Sequence, residues 1–435
     1  MARVVVVGGG YGGLASAARL AKLGHDVTVL EARDTLGGAQ GRVERDGFTW
    51  DAGPTHTLLP AVARDLFRKS GRPLERELEL VPLTPLRRHR FEDGTELDLP
   101  AGRADQLAAV DAALGPGAGT AWVEHVDAFA DDWAALRRDY FERPFSRDLA
   151  GDHAKALLGT RLTLHKVLRS TFRKDERLRL LAGTAALLEG HALRDVPAWV
   201  GLWSYVEQNF GSWTLPGGMA GLTDALAARL TTRRVQVELG TRVRDLEVRD
   251  GRVRGVRTDA GDLDADVVVV AVDPRQLPAL ASHVRRTNPV IPPVVAHVGL
   301  AGEVPDLPRE TVFHGDPTLV VRTGGVAPAG HHAWTLLARG RISEDPVTAL
   351  ARLGVRVRDQ VVVQVDRSPL EQVRTYGGSP YGVLWEGRGT VAHRLGPRTP
   401  VAGTYLAGAS ANPGAGIAAV GLSASLVAQA VGPAS

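Results

Sequence analysis

The chain of 435 residues contains no cysteine. That excludes disulfides, thiolate metal sites, a CxxC redox pair and any cofactor tethered through sulfur. Aromatic residues make up only 5% and methionine occurs twice. No stretch reaches ~18 continuous apolar residues, so no transmembrane helix is expected. A dominant charge sign is also missing, since the formal net charge is +3. Arginines are scattered, with short clusters at 87–90 and 233–234 and no aromatic interleaving. That reads as a solvated surface and argues against a nucleic-acid partner. Several catalytic signatures are absent too: no HExxH, no GxSxG elbow, no GxxxxGK[ST] and no second GxGxxG. His331-His332 sit adjacent in a loop and read as incidental, so no metal is expected.

What the chain does have is concentrated at its start, VVVVGGGYGGLASAARLAKLGHDVTVLE over 4–31. A buried strand, Val4 to Val7, runs into Gly8, Gly10 and Gly13. Ala17, Gly24, a second strand and Glu31 follow in register. This is a βαβ dinucleotide-binding unit. Gly8 allows the tight turn, Gly10 lets backbone approach a pyrophosphate, and Gly13 lets the helix lie close to the sheet. The helix N-terminus offers free N–H groups to phosphate. Glu31 can accept both hydroxyls of an unphosphorylated ribose, which points to FAD or NAD and away from NADP. The apolar start also superficially resembles a signal peptide, but three glycines break it, and a cytoplasmic protein is expected.

Further along, 60–70 reads as a short helix and 86–99 as a hairpin turning at Asp93-Gly94. The region 103–210 is helical in pattern. Its clearest helix is 122–140, where Trp122, Val126, Phe129, Trp133, Leu136 and Tyr140 form one stripe. Strands return over 235–257, with a second Asp-Gly turn at 250–251, and at 264–274. Residues 285–384 mix short strands and loops. The chain closes with a strand, a glycine-rich loop and a helix over 404–430. The segment 157–174 sets leucines among Arg161, Lys166, Arg169, Arg173 and Lys174. A lid helix packed on its neighbours explains it better than a membrane-docking face, which stays open as a peripheral contact.

Five segments in order then carry a resemblance: the opening fingerprint, Asp51-Ala52-Gly53-Pro54-Thr55, Trp213 to Gly218, Tyr376-Gly377-Gly378-Ser379, and Pro413-Gly414-Ala415-Gly416-Ile417. The chain resembles the bacterial phytoene desaturase (carotenoid desaturase) family, within the amine-oxidase-like FAD flavoproteins. The resemblance implies an α/β fold, with a Rossmann-type FAD-binding domain assembled from discontinuous segments. A mixed α/β substrate domain with a helical subdomain is inserted. The corresponding boundaries are 1–75, 215–275 and 385–435 for FAD binding, and 76–214 and 276–384 for the substrate domain. Two departures stand out. Gly37-Gly38 is followed by Ala39 where the family usually has arginine, with Arg42 three positions later. Leu215-Pro216 also stands where an arginine often precedes the glycines.

The resemblance implies non-covalent FAD held by Gly8, Gly10, Tyr11, Gly12, Gly13, Glu31, Ala32, Arg33, Gly38 and Ala39. It adds Gly53, Pro54 and Thr55 beside the isoalloxazine, and Val243 meeting the adenine through its backbone. Gly408, Ala409, Gly416 and Ile417 complete the set, the last helix facing the flavin N1–C2=O edge. The implied function is dehydrogenation or isomerisation of a lipophilic polyene, with hydride passing to flavin N5 and electrons leaving to oxygen, a quinone or a diffusible carrier. His56 is the candidate proton acceptor; His191 and Arg161 are weaker candidates. The alternatives are an amine oxidase-like flavoenzyme, against which the low aromatic content argues, and a non-catalytic lipid or prenyl escort on the same scaffold.

Overall fold

Val4–Val7 is a run of four β-branched residues, all buried, which suits a central strand covered on both faces. In the computed structural model, which describes residues 1–434, it occupies the centre of a five-stranded parallel sheet. The strand order is Thr404–Leu406, Val267–Val270, Arg3–Val7, Asp26–Leu30 and Gln236–Glu238. Each pair is parallel. Strands from three distant stretches of the chain therefore close one sheet, as the resemblance implied.

Helices cover one face of this sheet. Tyr11–Lys22, Pro60–Ser70, Gly221–Thr232 and Ile417–Val431 bury Leu14, Ala18, Leu66, Leu222, Leu226, Val420 and Ala424 against Val4, Val6 and Val29. The other face packs on a three-stranded antiparallel sheet, Val243–Arg249, Arg252–Thr258 and Gly261–Asp264, through Leu246, Val253 and Val256. The run over 235–257 is thus divided between two sheets.

A second, seven-stranded sheet lies in the inserted part. Its order is Val361–Arg367, Val294–Ala301, His331–Arg339, Thr318–Arg322, Glu310–Phe313, Arg87–Arg90 and Glu96–Leu99. All neighbours are antiparallel except Glu310–Phe313 with Arg87–Arg90. One face buries Ala296, Val298, Val321, Trp334 and Leu336 against Val347 and Leu350 of the helix Pro346–Arg352. The other face looks toward the site.

The helical subdomain differs from expectation in one detail. The stripe over 122–140 is not one helix: it runs as Ala118–Asp127, Ala130–Leu136 and a wide turn Arg137–Phe141. All six stripe residues are nonetheless buried. The helical hydrogen bond from Trp133 N–H to Phe129 O carries the period across the break. Leu164, Leu168 and Phe172 of the helix Leu164–Phe172 point inward, while Arg161, Lys166, Arg169, Arg173 and Lys174 are exposed. That is the packed arrangement. A hairpin at 42–51, turning at Asp46-Gly47, lies between the fingerprint and the helix Pro60–Ser70. Among the described residues no helix is long and apolar enough to cross a membrane.

Candidate functional site

The turn after Val7 shows why glycine stands at each fingerprint position. Gly8 has φ +102°, closed to most side chains. A Cβ on Gly13 would lie 1.9 Å from the Gly8 carbonyl oxygen, so helix and strand meet only through glycine. Gly10 is different. Its Cβ would meet only Gly37 and Gly38 backbone, at 3.9 Å, and otherwise open space. The N–H groups of the first helical turn have no intrahelical partner there. Glu31, at the end of the next strand, accepts from Gly9 N–H (2.7 Å) and Arg33 N–H (2.8 Å), which fixes the carboxylate at the mouth of the turn.

These elements line a cleft of about 1330 Å³. Fifteen of the residues named from sequence meet in it: Gly8, Gly10, Tyr11, Gly12, Glu31, Ala32, Arg33, Gly38, Ala39, Pro54, Val243, Gly408, Ala409, Gly416 and Ile417. Gly13 sits behind the turn as a packing contact. Gly53 borders the neighbouring cavity, and its Cβ would lie 2.4 Å from Ala39 O. Thr55 lies outside both spaces, in a narrow crevice, where its carbonyl accepts from Thr214 Oγ1 (2.8 Å). Arg42, three positions after Ala39, pairs with Asp224 at 2.5 Å and does not line the cleft. Leu215 is buried in the core of the parallel sheet.

The cleft also recruits residues that were not assigned to the site from sequence. Tyr376 to Pro380 form one wall, with Gly378 packed so closely on Asp273 that its Cβ would lie 2.5 Å from Asp273 Cβ. Arg242 and Arg374 join Arg33 as cations at the rim, and the Arg33 guanidinium lies 5.9 Å from the Tyr376 ring centroid. The Tyr-Gly-Gly-Ser motif was the available signal for that wall.

A second cavity, about 1290 Å³, shares Pro54, Pro380, Gly416 and Ile417 with the cleft. The two spaces therefore meet at the N-terminus of the last helix. Gly416 faces open space there, since its Cβ would touch nothing within 4 Å. Leu58, Ala185, Leu188, Trp203, Val295 and Leu337 make the cavity's apolar walls. His56 lines it too. Burial lowers its pKa to about 4, partly opposed by Glu310, so the imidazole is neutral at pH 7. Its Nδ1 lies 3.8 Å from Glu310 Oε2 and makes no hydrogen bond. His191 lies behind the wall, 3.5 Å from Glu189, and Arg161 is on the surface.

Asp51 ties the second and third motifs together. Its carboxylate accepts from Met219 and Ala220 N–H, both at 3.0 Å, just ahead of the helix Gly221–Thr232. Desolvation raises its pKa.

The cleft is long, has no side chains at Gly10 and Gly416, and ends with a carboxylate at one end and a helix N-terminus at the other. FAD would fit that donor set: Glu31 could accept from a ribose, the first helix could meet a pyrophosphate, and Ile417 borders the space left for the flavin ring.

The comparisons agree. The family model "Flavin containing amine oxidoreductase" matches residues 11–432. Hydroxyneurosporene desaturase of Cereibacter sphaeroides is 31% identical, over 99% of this chain and 97% of that protein. Phytoene dehydrogenase of Streptomyces griseus is 29% identical, over 98% and 94%. Among solved structures, putrescine oxidase bound to putrescine has a TM-score of 0.72 at 17% identity, covering 99% and 98% of the two chains. Cyclohexylamine oxidase from Brevibacterium oxydans has a TM-score of 0.69 at 17%, covering 99% of each. At that identity both show the fold alone. The chain belongs to the flavin-containing amine oxidoreductase family and is similar from end to end to the carotenoid desaturases within it.

Proposed function

We propose that this protein is an FAD-dependent oxidoreductase that removes two hydrogens from a CH–CH unit of a lipophilic polyene. One observation carries the reading: a dinucleotide cleft and a largely apolar-walled cavity meet at Pro54, Pro380, Gly416 and Ile417. The group bound in the cleft supplies a hydride acceptor at its N5. The chain's own residues supply position. Leu58, Leu188, Trp203 and Leu337 exclude water from a hydrocarbon chain. The first turn of the last helix presents backbone N–H groups where negative charge would build up.

We assign the proton lost from the neighbouring carbon to His56, which lines the cavity. It is neutral, and Glu310 at 3.8 Å would stabilise its imidazolium. Amine oxidation is less well served. Of the carboxylates lining the cavity, Glu207 and Glu310 are tied to guanidinium groups and Asp51 to two backbone N–H groups, which leaves an ammonium only Glu189, 3.5 Å from His191.

The purified protein is expected to be yellow and to release close to one FAD per chain on denaturation, as a non-covalent cofactor. A colourless protein that takes up no FAD on titration would overturn the reading.

A further inference from the structure

Among the described residues four arginines are buried: Arg19, Arg87, Arg229 and Arg394. Three of them are paired with carboxylates, Arg19 with Asp65, Arg87 with Glu207 and Glu310, and Arg229 with Glu77. Arg394 has no such partner. One terminal nitrogen donates to Pro413 O (3.3 Å) and the other to Val383 O, both neutral backbone acceptors. Its Nε has no partner. The guanidinium lies over the Trp385 ring, 4.1 Å from the centroid. The Tyr140 phenol and the Glu189 carboxylate act on it only from a distance. Burial keeps that phenol protonated, and Glu189 lies at the cavity wall beside His191.

A cation placed this way destabilises the fold. Removing a guanidinium from water is costly, and two carbonyls with one aromatic face offset only part of it. Burial lowers the pKa of Arg394 to about 10, so it still carries its charge at pH 7. A charge retained without a counter-ion among the protein's own side chains points to an anion from outside the chain.

The position of Arg394 identifies that anion. Pro413 opens the loop that leads into the last helix at Ile417. A Cβ on Gly414 would lie 3.0 Å from Arg394 Nη1, so the guanidinium presses directly on this loop. Two residues further on, Gly416 lines both the cleft and the cavity, where they meet. Arg394 itself lines neither space. A fixed positive charge therefore sits behind the stretch of backbone that borders the junction. A hydride delivered at that junction brings one negative charge with it. In a site of low dielectric the two charges attract without contact, and the helix N-terminus adds to the same field.

We propose that Arg394 is the buried counter-charge for the reduced flavin, and that it raises the reduction potential of bound FAD. This rests on the FAD reading above and deepens it, by naming a residue that sets the cofactor's potential. Arg394 acts through the loop and touches none of the reacting atoms.

The test is the midpoint potential of FAD bound to the full chain, measured by anaerobic dye-coupled reduction at pH 6, and it needs no polyene. Arg394→Gln keeps a hydrogen-bond donor and removes the charge, whereas Arg394→Lys keeps the charge. In Arg394→Gln the equilibrium constant for reduction should fall at least tenfold, which lowers the potential by about 30 mV or more for a two-electron couple. Arg394→Lys should stay within about threefold of wild type, or about 14 mV. FAD content identifies variants that are folded and loaded. An unchanged potential in loaded Arg394→Gln would overturn the inference and leave the FAD reading intact. Equal falls in both variants would also overturn it, because hydrogen-bond geometry and not charge would then be responsible. Should Arg394→Gln fail to fold, the wild type decides. Its apoprotein should bind reduced FAD at least tenfold more tightly than oxidised FAD, and equal or weaker binding of the reduced form would overturn the inference. A wild type that takes up neither form removes the FAD reading and the inference with it.

Discussion

At the scale of single residues, steric contact and hydrogen bonding give the sharpest expectations. Gly13→Ala puts a methyl 1.9 Å from the Gly8 carbonyl oxygen, a contact only backbone movement can relieve. Overpacking of that kind costs about 1–3 kcal/mol or more. A melting curve should show a clearly lowered Tm, and bound FAD should fall with it. Glu31→Gln should act differently. It exchanges a carboxylate fixed by Gly9 and Arg33 N–H for an amide that accepts at one atom only. The fold should persist while FAD affinity weakens roughly tenfold, about 1.4 kcal/mol, measured by equilibrium titration of the apoprotein. The fingerprint was legible in sequence because its parts are neighbours along the chain. Thr55 was less so: it belongs to a cofactor-like motif, yet its carbonyl accepts from Thr214 in a crevice beside the cavity.

At the scale of elements, Asp51 joins the loop beside the cavity to the helix Gly221–Thr232. Helix-end N–H groups left without acceptors destabilise by about 0.5–2 kcal/mol. Asp51→Ala should lower the urea midpoint by a corresponding amount, without a change in m-value. Helix and strand periodicity anticipated the helix at 60–70, both Asp-Gly hairpins and the closing strand and helix, but not the helix Gly221–Thr232. It missed the break at 128–129 because the apolar spacing of four and three continues through it. It also missed a polar row on the cavity face of the seven-stranded sheet. Arg87, Glu310 and Arg322 occupy alternating strand positions in three separate segments, and no single segment shows that register makes them neighbours. Only the assembled sheet turns three ordinary-looking charges into one buried cluster.

At the scale of the whole molecule, several buried histidines make the fold acid-sensitive. Burial lowers the pKa of His56, His125, His297 and His314 to about 4 each. Unfolded histidines titrate near ~6.5. Between those values the unfolded chain binds more protons, so stability falls as pH drops from about 6.5 to about 4. Each group contributes up to about 1.4 kcal/mol per pH unit across that window. Glu310, held well below the usual carboxylate range by Arg322, His56 and Arg87 against the cost of burial, adds a further loss below about 4.5. Tm measured from pH 7.5 to 4 should fall most steeply below 6.5, and a flat profile would contradict this account of the histidines.

The two spaces meeting at Ile417 make the central claim, that the protein transfers hydride from a polyene C–H to bound flavin. Anaerobic mixing of the yellow protein with a partly saturated polyene tests it directly. The flavin absorbance should bleach, and the product should be lighter by two hydrogens, with one product formed per flavin reduced. Bleaching by amines with none by polyenes would contradict the claim.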